Sequence, residues 1–208
     1  MNESPSQIYF VQAHKLPGID ARLERVIPWI RDSDRAYYDR LLADCCVDTT
    51  LARWARNRDS EIALHKIRLM IADGHIAGGF VAVSGRQLAR RREADLIDLA
   101  RQAGALVSPN LRRRIQAVYP LIGAVAHNDL YLSKLGTTAD FSGRGYEELL
   151  LDECIKRAET VGFSRLRIDV DRDDPIIPDL CAENGFDLFD RGVTPDGQVT
   201  YLNLVREL

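Results

Sequence analysis

Gly143 and Gly145 lie in the short run Ser142-Gly143-Arg144-Gly145-Tyr146, directly ahead of a helical pattern. A loop that turns straight into a helix leaves several main-chain N–H groups unpaired and pointing outward. The helix dipole adds positive potential at the same end. Together they form an anion site suited to phosphate groups, and glycine lets such groups approach the backbone. A Gly-x-Gly run is also a common turn, so the two glycines alone leave both readings open. Asp169 and Asp171 alternate on one face of a strand-like run. Asp169 sits among Leu166, Ile168 and Val170, and partial burial there would raise its pKa toward the range of a general base. Surface solvation is the plainer reading of Asp171 and Asp129. His127 and Ser133 lie at or in the preceding strand, and His65 and His75 in an earlier hairpin, with His75 read as a turn residue. No single base stands out. Cys45, Cys46, Cys154 and Cys181 form no CxxC pair, which argues against a zinc site, and they read as free thiols in a reducing compartment.

Several elements must position these groups. Ile8 to Val11 predicts a short strand. Residues 17–58 predict helices: Leu23, Val26, Ile27 and Ile30 build one apolar stripe, Leu41, Leu42 and Cys45 a second segment, and 51–55 a third. LHKIRLMIA, Asp73-Gly74 and HIAGGFVAV read as a hairpin with a type I′ turn, in which Gly78 and Gly79 mark a bulge or a close backbone approach. Residues 86–126 predict two helices divided at Ser108-Pro109-Asn110. LYLSKLGTT alternates as a strand. The loop ADFSGRG then leads to an amphipathic helix over 145–161, with i,i+4 pairs Asp152–Lys156 and Glu153–Arg157, stopped at Gly162. LRIDV, a short helix ending near Asn184-Gly185, and a hairpin turning at Pro195-Asp196-Gly197 complete the pattern.

The stretch YLSKLGTTADFSGRGYEELLLDECIKRAETVGFSRLRIDVDRDDP, continued through LCAENGF, resembles the GNAT superfamily of N-acyltransferases. The resemblance is clearest over 130–186; the hairpin and the helical N-terminal third match by order alone. It implies an α/β (α+β) fold with a mixed, mostly antiparallel central sheet, splayed central strands and helices on both faces. It further implies one acyltransferase domain over 1–208, within which 86–126 are a helical insertion serving as lid, acceptor-recognition element or homodimer contact. By position, Leu135 and Thr137 would offer backbone groups to the pantetheine arm, and the Leu135 N–H would polarise the thioester carbonyl. Ser142, Gly143, Arg144, Gly145 and Tyr146 would form the phosphate loop.

Four positions depart from the family pattern. Ser142 replaces a Gln or Arg, Glu147 a Gly or Ala, Asp174 an Asn, and Cys181 a Tyr that often protonates the departing thiolate. Glu147 reads either as an acid offsetting the helix dipole or as an impediment to pyrophosphate. Cys181 reads either as core or as the group that reprotonates the thiolate. The implied donor is acetyl-CoA or another acyl-CoA, or acyl-phosphopantetheine on an acyl carrier protein, with a small-molecule amine as acceptor and no metal. A degenerate ligand- or partner-binding module is the reading from a different class. The runs Arg90-Arg91-Arg92 and Arg112-Arg113-Arg114 read as solvated helix faces that could also attract a CoA phosphate or an acidic carrier.

Bulk properties agree with one domain. The chain has 208 residues, 46% hydrophobic and 28% charged, enough apolar material for a full core. A net charge of -3 argues against a general nucleic-acid binder. MNESPSQIYF lacks the pattern of a signal peptide, and no apolar run is long enough to span a bilayer. The expected setting is soluble and cytoplasmic, without membrane or nucleic-acid partners.

Overall fold

In the computed structural model, residues 7–43, 45–102 and 109–208 are described. In chain order the elements are β1 (Ile8–Gln12), α1 (Leu23–Asp32), α2 (Arg35–Leu41), α3 (Val47–Arg56), β2 (Ile67–Ala72), β3 (His75–Ser84), α4 (Gly85–Gln102), α5 (Pro109–Val118), β4 (Asp129–Thr137), α6 (Tyr146–Val161), β5 (Arg165–Asp171), α7 (Ile177–Glu183), β6 (Asp187–Val193) and β7 (Thr200–Glu207). Short 3-10 turns lie at Ala13–Lys15, Ile19–Arg22, Tyr119–Leu121 and Ala139–Phe141. Ser108, part of the sequence signal dividing α4 from α5, lies outside the described residues.

The seven strands form one sheet in the order β1-β2-β3-β4-β5-β7-β6. Every pairing is antiparallel except β4 with β5. This is the mixed, mostly antiparallel architecture that the resemblance implies. The hairpin turns at Asp73 (φ 49°) and Gly74 (φ 81°), the two left-handed positions of a type I′ turn. Gly78 and Gly79 mark close approaches: a Cβ on Gly78 would lie 2.5 Å from the Gly136 carbonyl oxygen, and one on Gly79 2.5 Å from that of Arg68.

Apolar side chains cover the sheet on both faces. On one face, the α1 stripe Leu23, Val26, Ile27 and Ile30 packs with Trp54 of α3, Leu99 of α4, Leu111 of α5 and the strand residues Leu69, Val81 and Tyr131. On the other, Leu150, Leu151, Cys154, Ile155 and Ala158 of α6 lie over Phe80, Leu132, Leu166 and Ile168, with Cys181 of α7. Burying each large aliphatic side chain contributes about 1.5–3 kcal/mol, so helical and strand periodicities together fix which face each element presents.

Two details depart from the sequence expectation. Glu153 does not pair with Arg157; it reaches to the sheet face and Arg68, 2.9 Å away on β2. Asp129, expected at the surface, is wholly buried: Arg165 of β5 holds its carboxylate at 2.9 Å and the Ala126 N–H donates to it at 3.1 Å. Both strand partners lie far away in sequence, where helix or strand periodicity has no reach.

Candidate active site

The two central strands part company midway. β4 and β5 run in register from Asp129↔Arg165 to Leu132↔Ile168, and no pairing follows. β4 continues to Thr137 against β3, and β5 to Asp171 against β7. Beyond Leu132 the two strands therefore enclose a wedge. Thr138 donates its N–H to the Ala77 carbonyl at 2.8 Å, which makes these opposed residues a hydrogen-bonded pair. Main-chain groups alternate in direction along a strand. Thr137 and Leu135, opposite Gly78 and Phe80, thus turn their N–H and C=O groups away from β3 and into the wedge.

A cavity of about 330 Å³ fills this wedge. Leu135 and Ser133 of β4 form one wall, and Ile168 to Asp171 of β5 the other. The joint between α1 and α2, residues 32–36, closes one side, and Asp173, Asp174 and Ile177 the far end. Asp174 caps the turn into α7, accepting the N–H groups of Ile176 (2.9 Å) and Ile177 (2.8 Å).

The Ser142–Gly145 run is exposed, and Gly143 (φ 73°) and Gly145 (φ 76°) are left-handed. A Cβ on either would meet no atom within 4 Å, so the loop is open on its outer side. Gly145 is the N-cap of α6, and no side chain caps that end. The first-turn N–H groups of α6 are therefore free for an outside acceptor. Phe141 and Tyr146 stack at 5.8 Å between centroids, and the exposed Arg144 lies 5.1 Å over Phe141. This aromatic pair pins the loop and sets a guanidinium beside it. These residues suit a phosphorylated arm. Glu147, by contrast, turns inward: it is buried and accepts the Thr137 hydroxyl. Its carboxylate sits between the end of β4 and the first turn of α6.

A buried polar network flanks the wedge on the side of α2 and α4. Lys134 donates to Asp34 at 2.7 Å, and the Tyr201 hydroxyl donates to the same carboxylate. Arg92 pairs with Glu61 at 2.8 Å and lies 4.8 Å over the Tyr131 ring, while the Ser133 hydroxyl also donates to Glu61. Burial works against ionised Glu61, yet the Arg92 guanidinium and Lys134 ammonium hold its pKa below the usual carboxylate value. The network encloses a cavity of about 20 Å³, room for a single water. Sequence reading missed most of these groups. The one available signal was Ser133-Lys134 inside an apolar strand, and it names no partner. Arg91 and Arg92 correct another expectation, since both turn inward from the run read as a solvated face.

The three proposed catalytic residues occupy different surroundings. Leu135 borders the wedge. Asp169 is buried beside it, where its carboxylate accepts Asn203 Nδ2 (2.8 Å), the Tyr131 hydroxyl (3.0 Å) and the Gly123 N–H (3.1 Å). Burial pushes its pKa up, partly offset by Arg92 and these donors. Cys181 stands apart. It is fully buried in the core under α6, outside the wedge lining, and burial pushes its thiol up to about 12. Among the described residues, no group of three His, Cys, Asp or Glu side chains is placed to hold a metal, and no helix is long and apolar enough to cross a membrane.

No family model matches the chain, and no curated protein matches it in sequence. Solved structures match it in three dimensions. An acetyltransferase crystal structure superposes with a TM-score of 0.65 at 20% identity, covering 96% of this chain and 98% of the other. An N-acetyltransferase from Staphylococcus aureus Mu50 gives 0.65 at 16% identity, covering 95% and 100%. The chain has the GNAT fold. The PaiA N-acetyltransferase from Thermoplasma acidophilum, solved in complex with coenzyme A, shares it with a TM-score of 0.53 at 14% identity, over 97% and 99% of the two chains. Within this GNAT fold, β3 and β4 are joined by α4 and α5, and α4 contributes Arg92 to the network beside the wedge.

Proposed function

We propose that the chain is an N-acyltransferase that moves an acyl group, in the simplest case acetyl, from acyl-CoA to a primary amine by direct attack. Three observations support this: the open Gly143–Gly145 loop at the α6 N-terminus, the main-chain groups of Thr137 and Leu135 turned away from β3, and the wedge cavity lined by Leu135 and Asp169. Ser142, Gly143, Arg144, Gly145 and Tyr146 take the pyrophosphate at the α6 N-terminus. Thr137 and Leu135 bind the pantetheine arm, and the Leu135 N–H points at the carbonyl oxygen as negative charge develops there. CoA supplies the activated thioester. The acceptor nitrogen attacks the carbonyl carbon, the C–N bond forms, and the C–S bond breaks. Asp169, its pKa raised by burial, draws off the amine proton, directly or through a water. The thiolate takes a proton from solvent in the wedge, because Cys181 lies in the core.

The buried Glu147 favours a second reading. A carboxylate beside the phosphate loop repels a pyrophosphate more than the single phosphodiester of a carrier-protein phosphopantetheine, so the donor on this reading is an acylated carrier protein. Thiol release measured with acetyl-CoA, malonyl-CoA and acylated carrier proteins over an amine panel separates the two. Release from carrier protein alone selects the second reading. No release with any donor overturns both and leaves a binding module. If CoA is the donor, Glu147→Gln lowers the KM for acetyl-CoA several-fold by removing that repulsion.

A further inference from the structure

A groove of about 260 Å³ lies on the α6 face of the sheet, away from the wedge. Phe80, Ala82 and Leu130 form its floor, and Val161 and Phe163 an apolar wall at the end of α6. Arg157, near the C-terminal end of α6, is about 16 Å along the helix axis from Tyr146, at 1.5 Å per residue. No carboxylate lines the groove. Its cations are Arg68, Lys66 and Arg157, and of these Arg68 is already neutralised by Glu153. Lys66 donates to a neutral acceptor, Gln87 Oε1, at 2.9 Å. Arg157 forms no ion pair among the described residues.

More positive charge stands just behind. An Arg91 NH2 group lies 3.3 Å from His65 Nε2, and Arg91 otherwise donates to the main-chain carbonyls of Arg58 (3.0 Å) and Ser60 (2.8 Å). Burial, together with Arg91 and Lys66, pushes the His65 pKa down to about 4, so the ring stays neutral where its neighbours are charged. Lys66 and Arg157 have no ion-pair partner among the described residues, and a bound anion would supply the counter-charge they lack. The floor beneath them is apolar, which a bare inorganic anion would leave wet. The volume is slightly below the roughly 300–1,000 Å³ usual for pockets that take drug-sized ligands, so the occupant is small.

We propose that this groove is a second ligand site, separate from the transfer wedge, which binds a small amphipathic carboxylate: its head between Lys66 and Arg157, its apolar body on Phe80, Ala82 and Leu130. The site is independent of the proposed acyl transfer.

Octanoate is the probe, titrated into the full chain by calorimetry with and without saturating CoA. Saturable octanoate binding is expected, unchanged by CoA. The double variant Lys66→Gln, Arg157→Gln is expected to weaken it at least tenfold, and octanol and inorganic phosphate to bind far more weakly than octanoate. Both substituted side chains are solvent-accessible, and a melting temperature equal to that of the parent chain checks that the variant is folded. Absent saturable binding, full affinity in the double variant, or displacement by CoA would each overturn the proposal. Phosphate binding as tight as octanoate would overturn the carboxylate assignment.

Discussion

Asp169 carries a cost that only chemistry or architecture can justify. Its carboxylate is buried and satisfied by three donors, and its pKa is nonetheless raised. A raised acid is the better proton acceptor near neutral pH. Asp169→Asn keeps the shape and Oδ1 acceptor but cannot take the proton. A fall in kcat of about 10²-fold or more is expected. In the parent chain kcat rises with pH through a value above the ordinary carboxylate range, and this acid limb disappears in the variant. Unchanged kcat with an intact acid limb would reduce Asp169 to a packing role. Cys181 gives the opposite expectation. Its thiol is wholly buried, so Cys181→Ala leaves kcat within about twofold and lowers stability by about 1 kcal/mol, the effect of a small core cavity. Steady-state kinetics beside urea unfolding reads both quantities.

At the scale of elements, the site depends on how α6 begins and where β4 stops pairing with β5. Gly145 holds φ at 76°, and a Cβ there would meet no neighbour within 4 Å. Gly145→Ala therefore acts through the backbone alone, at a cost of about 1 kcal/mol for a left-handed non-glycine residue. The strain tilts the first-turn N–H groups without touching the wedge. A several-fold rise in the KM for acyl-CoA with kcat little changed is expected, because the lost interaction lies far from the reacting carbonyl. A fall in kcat at constant KM would place this loop in the chemistry itself. β4 shows why the first strand of the splayed pair can do such work. Its register against β3 shifts next to Ser133, so Leu132 and Leu135 share a core face while Lys134 turns to Asp34.

At the scale of the whole molecule, the buried network sets how the fold responds to pH. Asp95 of α4 is buried and accepts the Glu61 N–H at 3.0 Å, and burial pushes its pKa up to about 7. A folded-state value above the unfolded one means that the protonated form is favoured by folding. That stability is fully present below about pH 4 and is lost as pH rises through about 7. The loss is on the order of 4 kcal/mol, since each tenfold change in proton affinity is worth about 1.4 kcal/mol. Asp95→Asn removes this contribution. Urea unfolding between pH 4 and 8 is expected to show the variant gaining on the parent chain as pH rises; parallel curves would refute the burial argument.

Much of this molecule was readable in one dimension. The α1 stripe, the Asp73-Gly74 turn, the Gly162 stop and the strand–loop–helix run ending in β5 follow from periodicity and turn chemistry, which act between residues a few positions apart. The glycine loop and the start of α6 at Tyr146 were legible for the same reason. What only the folded chain decided are the encounters between distant segments: Asp34 with Lys134 and Tyr201, Glu61 with Arg92 and Ser133, Asp129 with Arg165, and Cys181 sealed under α6. A carboxylate looks the same in sequence whether it meets water or a guanidinium. Its partner is chosen by the sheet order that brings β4, β5 and β7 side by side beneath α2 and α4, and local pattern carries no record of that choice.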